Sequence, residues 1–159
     1  MKLIFKQKIL SFLDSYKVYD ENDNIYFEIK GKLSFGKLFK IYNSYNEEIG
    51  TLKRNLFTFL PTYSIYKGEE KLGEIKKKFT FFKPRFELSF GNYTVEGNFL
   101  EWDYEVKQND IVIASISKEF FHFTDTYVIN VDESDALIVL MIVLAIDAIK
   151  DERDNNNND

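Results

Sequence analysis

The residues of this chain that best suit chemistry are basic, and they lie in two short stretches that contain Lys76 and Lys78, then Lys83 and Arg85. Lysine and arginine side chains on a protein surface attract anionic groups such as the phosphates of membrane lipids. Four of them on neighbouring strands would form one positive patch. We therefore treat these four side chains as candidate contacts for lipid headgroups.

Strand alternation is what would bring the four charges to one surface. If Ile75 and Phe79 point inward, the lysines on either side of Lys77 point outward, because successive strand residues face opposite sides. The phase of Pro84 and Phe86 likewise turns the two basic residues of the second stretch outward. The alternative interpretation is an ordinary charged surface whose lysines protect a strand edge from pairing.

The remaining acid–base candidates are better explained by structure than by catalysis. His122, the single histidine, is flanked by phenylalanines, and the chain has no cysteine to work with it, so we expect a structural role. Glu101, Asp103 and Glu105 share one face of a predicted strand whose other face is apolar. Such carboxylates are expected to be solvated rather than to form a glycosidase pair. The sequence therefore predicts no catalytic residue.

Two segments imitate ligand-binding loops but lack residues that those loops require. Residues 31–37 have the glycine and lysine spacing of a phosphate-binding loop, yet Leu38 replaces the hydroxyl residue that holds magnesium. Residues 20–24 begin like a calcium loop, but Ile25 stands where glycine is needed. Both are predicted to be turns between strands, so the sequence predicts no metal and no cofactor.

Composition limits where the protein works and with what. A net charge of −5 and a pI near 5.1 argue against a nucleic-acid partner, although the first 90 residues are basic on balance. The absence of cysteine excludes disulfides and thiolate metal sites. Lys2, Lys6 and Lys8 interrupt any signal-peptide core. We expect a cytoplasmic protein, peripheral to the membrane if it binds lipid.

A recurring pattern indicates what positions these residues. The form Phe-x-(Asp/Pro)-x-(Tyr/Phe)-x-aliphatic begins at Phe12, Phe59, Phe82 and Phe123, and each copy reads as the opening of a strand followed by a polar turn and a second strand. Short turns make neighbours antiparallel. The pattern predicts about twelve strands, near 3–8, 15–20, 25–30, 36–43, 47–54, 61–67, 70–79, 84–90, 92–98, 101–108, 111–118 and 125–131.

The run from Ala136 to Ile146 is apolar on every side, and such a helix must be enclosed. Asp132 is predicted as its N-cap, and the helix is expected over about 133–150. Its apolar part would be roughly 21 Å long, which is short for a bilayer but matches a six- or seven-residue strand. We therefore predict a mainly β domain over residues 1–150, a twelve-stranded antiparallel closed β-barrel around a central C-terminal hydrophobic helix, and a disordered tail over 151–159.

Several segments resemble the LURP-one-related family with their spacing intact: FTFFKPR (79–85), VEGNFLEWDYEV (95–106), ASISKEFFHFTDTYVINV (114–131) and ALIVLMIVLAIDAI (136–149). The resemblance covers roughly residues 4–150. It implies kinship with tubby C-terminal-like proteins and phospholipid scramblases, whose fold is a twelve-stranded barrel around a central helix. Tubby-like relatives bind phosphoinositides, but their ligands do not map residue by residue onto this chain.

The expected function is a non-enzymatic intracellular binding module for anionic phospholipid headgroups. One alternative is scramblase-like activity, although the cysteines and the longer membrane-insertable helix of scramblases are missing here. A second alternative is a structural barrel that binds a protein partner and no lipid. The sequence leaves the oligomeric state open.

Overall fold

The barrel strands follow the predicted order closely. A computed structural model describes residues 1–6, 15–34, 36–121 and 124–156. The strands are β1 (Lys2–Phe5), β2 (Ser15–Tyr19), β3 (Ile25–Ser34), β4 (Gly36–Asn43), β5 (Glu48–Arg54), β6 (Thr62–Lys67), β7 (Glu70–Lys77), β8 (Phe86–Leu88), β9 (Tyr93–Asn98), β10 (Asp103–Gln108), β11 (Ile111–Phe121) and β12 (Thr124–Val131). The twelve-strand prediction is confirmed, with the largest differences at β1, β3, β8 and β11.

The strands form one antiparallel sheet that curls into a nearly closed barrel. Its order is β8-β7-β6-β5-β4-β3-β2-β1-β12-β11-β10-β9, so β1 and β12 join the two halves of the chain. Among the described residues no backbone ladder connects β8 to β9. The single twelve-stranded sheet confirms the predicted barrel. The barrel is not fully closed by backbone hydrogen bonds, because a seam remains between β8 and β9.

Aromatic side chains close this seam where backbone hydrogen bonds do not. The rings of Phe86 on β8 and Phe99 just after β9 pack edge to face with centroids 4.9 Å apart. Phe99 in turn contacts Tyr104 of β10, with centroids 4.9 Å apart. All three side chains are buried, and such ring pairs are worth about 0.5–1.5 kcal/mol beyond their area. The seam is thus sealed on its inner side and open on its outer side.

The apolar helix fills the barrel. A 3₁₀ turn (Glu133–Asp135) leads into α1 (Ala136–Asn156), and every residue from 139 to 149 is buried. Gly50 on β5 permits close packing, because a Cβ there would lie 3.1 Å from Met141 Sδ. None of the described helices is long and apolar enough to span a membrane.

The predicted start of the helix is confirmed in position, and its predicted end needs correction. Asp132 is the N-cap residue of the 3₁₀ turn, but it makes no side-chain capping hydrogen bond; its carbonyl accepts the Asp135 amide at 3.0 Å. The helix also continues through Asn156, so the prediction of an end at Lys150 and of a disordered tail from residue 151 was wrong for residues 151–156. Residues 157–159 lie outside the described part of the chain.

Ion pairs to the barrel explain why the helix continues. Glu152 accepts hydrogen bonds from Arg54 Nε at 3.1 Å and from Tyr63 Oη at 2.8 Å. Asp151 pairs with Lys37 Nζ at 3.5 Å. These partners lie on β4, β5 and β6, so the last turns of α1 are tied to the end of the barrel where β5 ends and β6 begins.

Replacing a helix residue that the barrel encloses should be costly. Ile142→Ala removes a fully buried side chain, and we expect a loss of about 2–5 kcal/mol in the free energy of unfolding. The matched change Ile111→Ala removes a side chain that is 69% exposed and should cost less than about 1 kcal/mol. Urea denaturation of both variants measures the difference; equal losses would contradict an enclosed helix.

Buried tyrosines should make the fold sensitive to alkali. Burial raises the pKa of Tyr63 and of Tyr104 above the ordinary value near 10, and nearby carboxylates act in the same direction. The folded state therefore holds the phenolic protons more tightly, so stability is complete below pH 10 and falls as the pH rises further. Tyr104→Phe should flatten this dependence by about 1.4 kcal/mol per pH unit. The exposed Tyr45→Phe is the control, and an unchanged slope for Tyr104→Phe would refute the assignment.

Candidate functional site

Two loops lie side by side at one end of the barrel. Residues 55–61 connect β5 to β6, and residues 78–85 connect β7 to β8. Alternate connections of an antiparallel meander leave the sheet at the same end. A hydrogen bond of 3.0 Å from the amide of Lys77, the last residue of β7, to the Pro61 carbonyl joins the bases of the two connections. We call them the 55–61 loop and the 78–85 loop.

Arg54 braces the 55–61 loop. Its Nη1 donates to the Asn55 carbonyl and, at 3.0 Å, to Thr58 Oγ1, while its Nε binds the end of α1. The Asn55 amide donates to the Thr62 carbonyl at 2.9 Å, which closes the base of the loop. The position of this loop is therefore coupled to the barrel wall and to the enclosed helix.

The 78–85 loop is also internally bonded, and it corrects one sequence prediction. The Lys78 amide donates to the Arg85 carbonyl at 2.8 Å, and Thr80 Oγ1 donates to the Lys83 carbonyl at 2.7 Å. Strand β7 ends at Lys77 rather than at 79, so strand alternation stops before Phe79. The prediction that Phe79 points inward was wrong, because its side chain is 70% exposed.

The four predicted basic residues separate into three and one. Lys78, Lys83 and Arg85 are exposed and line a single groove, while Pro84 and Phe86 are buried as their phase predicted. Lys76 is also exposed and outward, on β7, but it is not part of the groove lining. The sequence prediction of outward charges is confirmed for all four.

The groove has a volume of about 420 Å³ and lies over the open seam. The three basic side chains belong to its first wall, which the 78–85 loop and β8 provide. Its second wall comes from β9 and includes Thr94, Glu96 and Gly97. The packed rings of Phe86 and Phe99 also line it. A volume of this size lies within the range of small-molecule binding sites.

The charge of the groove is positive on balance. Glu96 on the second wall is hydrogen-bonded to Lys107 Nζ at 2.5 Å, and this bond lowers the pKa of the Glu96 carboxyl. On the first wall, Lys78 Nζ lies 4.0 Å from Glu87. Within the described ranges no acidic side chain forms an ion pair with Lys83 or Arg85. These two cations are thus available to an anion in the groove.

A larger groove lies at the opposite end of the barrel, but its chemistry is different. It has a volume of about 680 Å³ and is lined by segments of β1, β11 and β12 together with Glu21 and Asp132. Lys2 is the one lysine in its lining. The two carboxylates offset the ammonium groups of Lys2 and of the Met1 amino terminus, so the lining carries no positive excess to favour an anionic ligand.

Of the two segments that resemble ligand-binding loops, residues 20–24 form a turn as predicted, whereas residues 31–34 and 36–37 belong to paired strands rather than to a turn. Residues 31–37 span the β3–β4 hairpin, with residue 35 outside the described residues, and Leu38 continues β4. In the β2–β3 turn, the Asp20 carboxylate accepts the amides of Asn22 at 2.8 Å and Asn24 at 2.9 Å. The Asp20 carboxylate therefore serves the local backbone.

The carboxylates of β10 also lie as predicted. Asp103 and Glu105 are exposed, and the intervening Tyr104 is buried. Glu101 is exposed in the turn that precedes the strand. His122, which we expected to be structural, lies outside the described residues.

Sequence reasoning missed the exposed phenylalanines of the two loops. All the exposed phenylalanines in the described part of the chain lie there: Phe57, Phe59, Phe79, Phe81 and Phe82. A signal was present, because each loop contains the triplet Phe-Thr-Phe shortly before one of the chain's two prolines. Proline marks a strand start, so the phenylalanines ahead of it belong to the connection.

Comparison with known proteins agrees with this fold. The chain is 28% identical over 151 residues to the uncharacterised protein YxjI of Bacillus subtilis (strain 168), covering 94% of this chain and 93% of that protein. An X-ray structure of a protein from Arabidopsis thaliana is similar with a TM-score of 0.57 and 17% identity, over 89% of this chain and 88% of the other. The second likeness shows the fold alone.

The family follows from the extent of the match. The model of the LURP-one-related family matches residues 1–147, which include all twelve strands and most of the apolar part of α1. The chain belongs to the LURP-one-related family.

Proposed function

We propose that the protein is a non-enzymatic module that binds anionic phospholipid headgroups at the membrane surface. The observation that carries this proposal is the groove, whose first wall presents Lys78, Lys83 and Arg85. Lys76 adds a fourth positive charge on the neighbouring strand. The cytoplasmic leaflet carries the anionic lipids that such a surface attracts.

The chemistry of the three side chains suits a phosphate ester. The guanidinium of Arg85 can donate two parallel hydrogen bonds to phosphate oxygens, while the ammonium groups of Lys78 and Lys83 supply point charges. The nearby carboxylate of Glu96 forms an ion pair with Lys107, which reduces its repulsion of a bound phosphate. A headgroup phosphate in the groove would therefore face cations without displacing an existing ion pair of Lys83 or Arg85.

The interior of the barrel supports a binding role on the outside. Residues 139–149 of α1 are enclosed by the sheet, so they are not available to enter a bilayer as a scramblase helix would. The same helix occupies the space in which a carrier would hold a lipid chain. For these reasons we propose headgroup binding rather than lipid scrambling, and we propose no catalytic residue.

A protein partner is the second candidate, and the seam favours it. The facing edges of β8 and β9 lack a backbone ladder, and an extended peptide can add to such edges. Strand β8 has only three residues, which limits how many hydrogen bonds it could offer. This candidate predicts no retention on vesicles in the assay below.

Charge reversal in the groove tests the proposal. In co-sedimentation with phosphatidylcholine vesicles that contain phosphatidylserine, Lys83→Glu/Arg85→Glu should weaken binding at least roughly 30-fold. The estimate follows from about 1 kcal/mol for each basic residue near an anionic surface. Omission of phosphatidylserine should abolish retention of the unaltered protein.

The control is Lys17→Glu/Lys67→Glu, which changes the net charge equally at two exposed lysines outside the groove. It should bind clearly better than the groove variant. If both variants lose the same vesicle affinity, the effect comes from net charge alone. If the unaltered protein is retained equally with and without phosphatidylserine, headgroup binding is refuted.

A further inference from the structure

The five exposed phenylalanines are the least expected feature of the surface. Phe57 is fully exposed, Phe59 is 95% exposed, Phe82 is 93% exposed and Phe81 is 85% exposed. Large apolar side chains normally gain 1.5–3 kcal/mol, by a rough estimate, from leaving water. Within the described structure these rings gain almost none of it. Clustered exposure of this kind marks an interaction surface.

The rings are gathered on one surface rather than scattered. All five belong to the 55–61 loop and the 78–85 loop, which leave the same end of the barrel and whose bases are joined by the hydrogen bond from Lys77, the last residue of β7, to Pro61. Phe79 and Phe81 pack edge to face with centroids 5.4 Å apart. Among the described residues this is the one ring pair formed between exposed phenylalanines, and it lies within one loop. The other three rings remain exposed to solvent.

The backbone holds one ring outward at a local cost. Phe57 has a φ of 62°, in the left-handed region that bulky residues rarely adopt. The bonds from Arg54 to the carbonyl of Asn55 and to Thr58 maintain this loop around it. Strained backbone of this kind tends to persist where a function requires it. The Phe57 ring is fully exposed, so packing of the described core does not explain a phenylalanine at this position.

Charge indicates what the rings meet. The cations Lys78, Lys83 and Arg85 belong to the same 78–85 loop as three of the exposed phenylalanines. At the opposite end, the turns at residues 20–24 and 68–70 carry acidic side chains and no phenylalanine. Exposed phenylalanines together with positively charged side chains match an anionic bilayer, because its apolar acyl chains lie just beneath its negatively charged headgroups.

We propose that the 55–61 and 78–85 loops insert their phenylalanines into the boundary between headgroups and acyl chains of an anionic bilayer. This proposal rests on the proposed headgroup binding and adds a second, apolar contact to it. It also orients the protein, with the two loops toward the membrane and the acidic turns away from it. The barrel itself stays in water, because most apolar residues of its strands and the apolar part of its helix are buried.

Depth-dependent quenching tests insertion directly. Phe82→Trp introduces an indole at a loop tip, while the native Trp102 is 6% exposed and gives a constant background. On phosphatidylserine-containing vesicles with brominated acyl chains, the new indole should be quenched. Tyr45→Trp is the matched control, because Tyr45 is 83% exposed in the β4–β5 turn at the opposite end, and it should not be quenched.

Removing the rings should weaken vesicle binding while all basic residues remain. Phe59→Ser/Phe82→Ser should lower the affinity by at least about tenfold, since even partial burial of one phenylalanine approaches that factor. Phe57→Asn is the second variant, and asparagine adopts the left-handed conformation readily. Phe57→Asn should reduce vesicle binding while leaving the unfolding midpoint unchanged or higher. It therefore still tests insertion if the double variant fails to fold.

The outcomes separate this proposal from the one it rests on. Vesicle binding without quenching of Phe82→Trp would overturn insertion and leave headgroup binding in place. Failure of the unaltered protein to bind vesicles would overturn headgroup binding and insertion together. If light scattering shows an oligomer that Phe59→Ser/Phe82→Ser dissociates, and no quenching occurs, the loops instead contact a second copy of the chain and insertion is wrong.

Discussion

The structure depends on one constraint, which is that a helix apolar on every side must be covered on every side. Residues 139–149 of α1 are buried throughout, and the twelve-stranded sheet curls around them. Close contact is possible because Gly50 leaves room for Met141. Residues 139–149 of this helix occupy the interior of the barrel. We therefore propose that binding occurs on the outer surface, where the two ends of the barrel differ.

The seam between β8 and β9 follows from the same constraint. A sheet long enough to surround the helix needs its two edges to meet, and here they meet through Phe86 and Phe99 instead of through a ladder. Side-chain closure leaves the outer side of the seam open, and the groove with Lys83 and Arg85 occupies it. The groove is thus a consequence of how the barrel closes, and the 78–85 loop decides its charge.

Most of the fold could be predicted from local pattern, and the site could be predicted only in part. Alternation along the strands and the apolar run at Ala136 are local signals, so the twelve strands and the central helix were found. The turn after Lys77 was missed, because alternation continues through Phe79 although the ladder has ended. The extension of α1 was missed for a different reason: Glu152 reads as part of a polar tail, and its partner Arg54 is 98 residues away. Long-range partners leave no mark in local sequence.

The central claim is that one end of the barrel, with its basic groove and exposed phenylalanines, faces an anionic membrane. Hydrogen exchange of the backbone amides, compared with and without phosphatidylserine-containing vesicles, tests it most directly because it reports every segment at once. The account predicts slower exchange at residues 55–61 and 78–85 and no change in the turns at residues 20–24 and 44–47. Protection of those opposite turns, or no protection in either loop on vesicles that bind the protein, would contradict it.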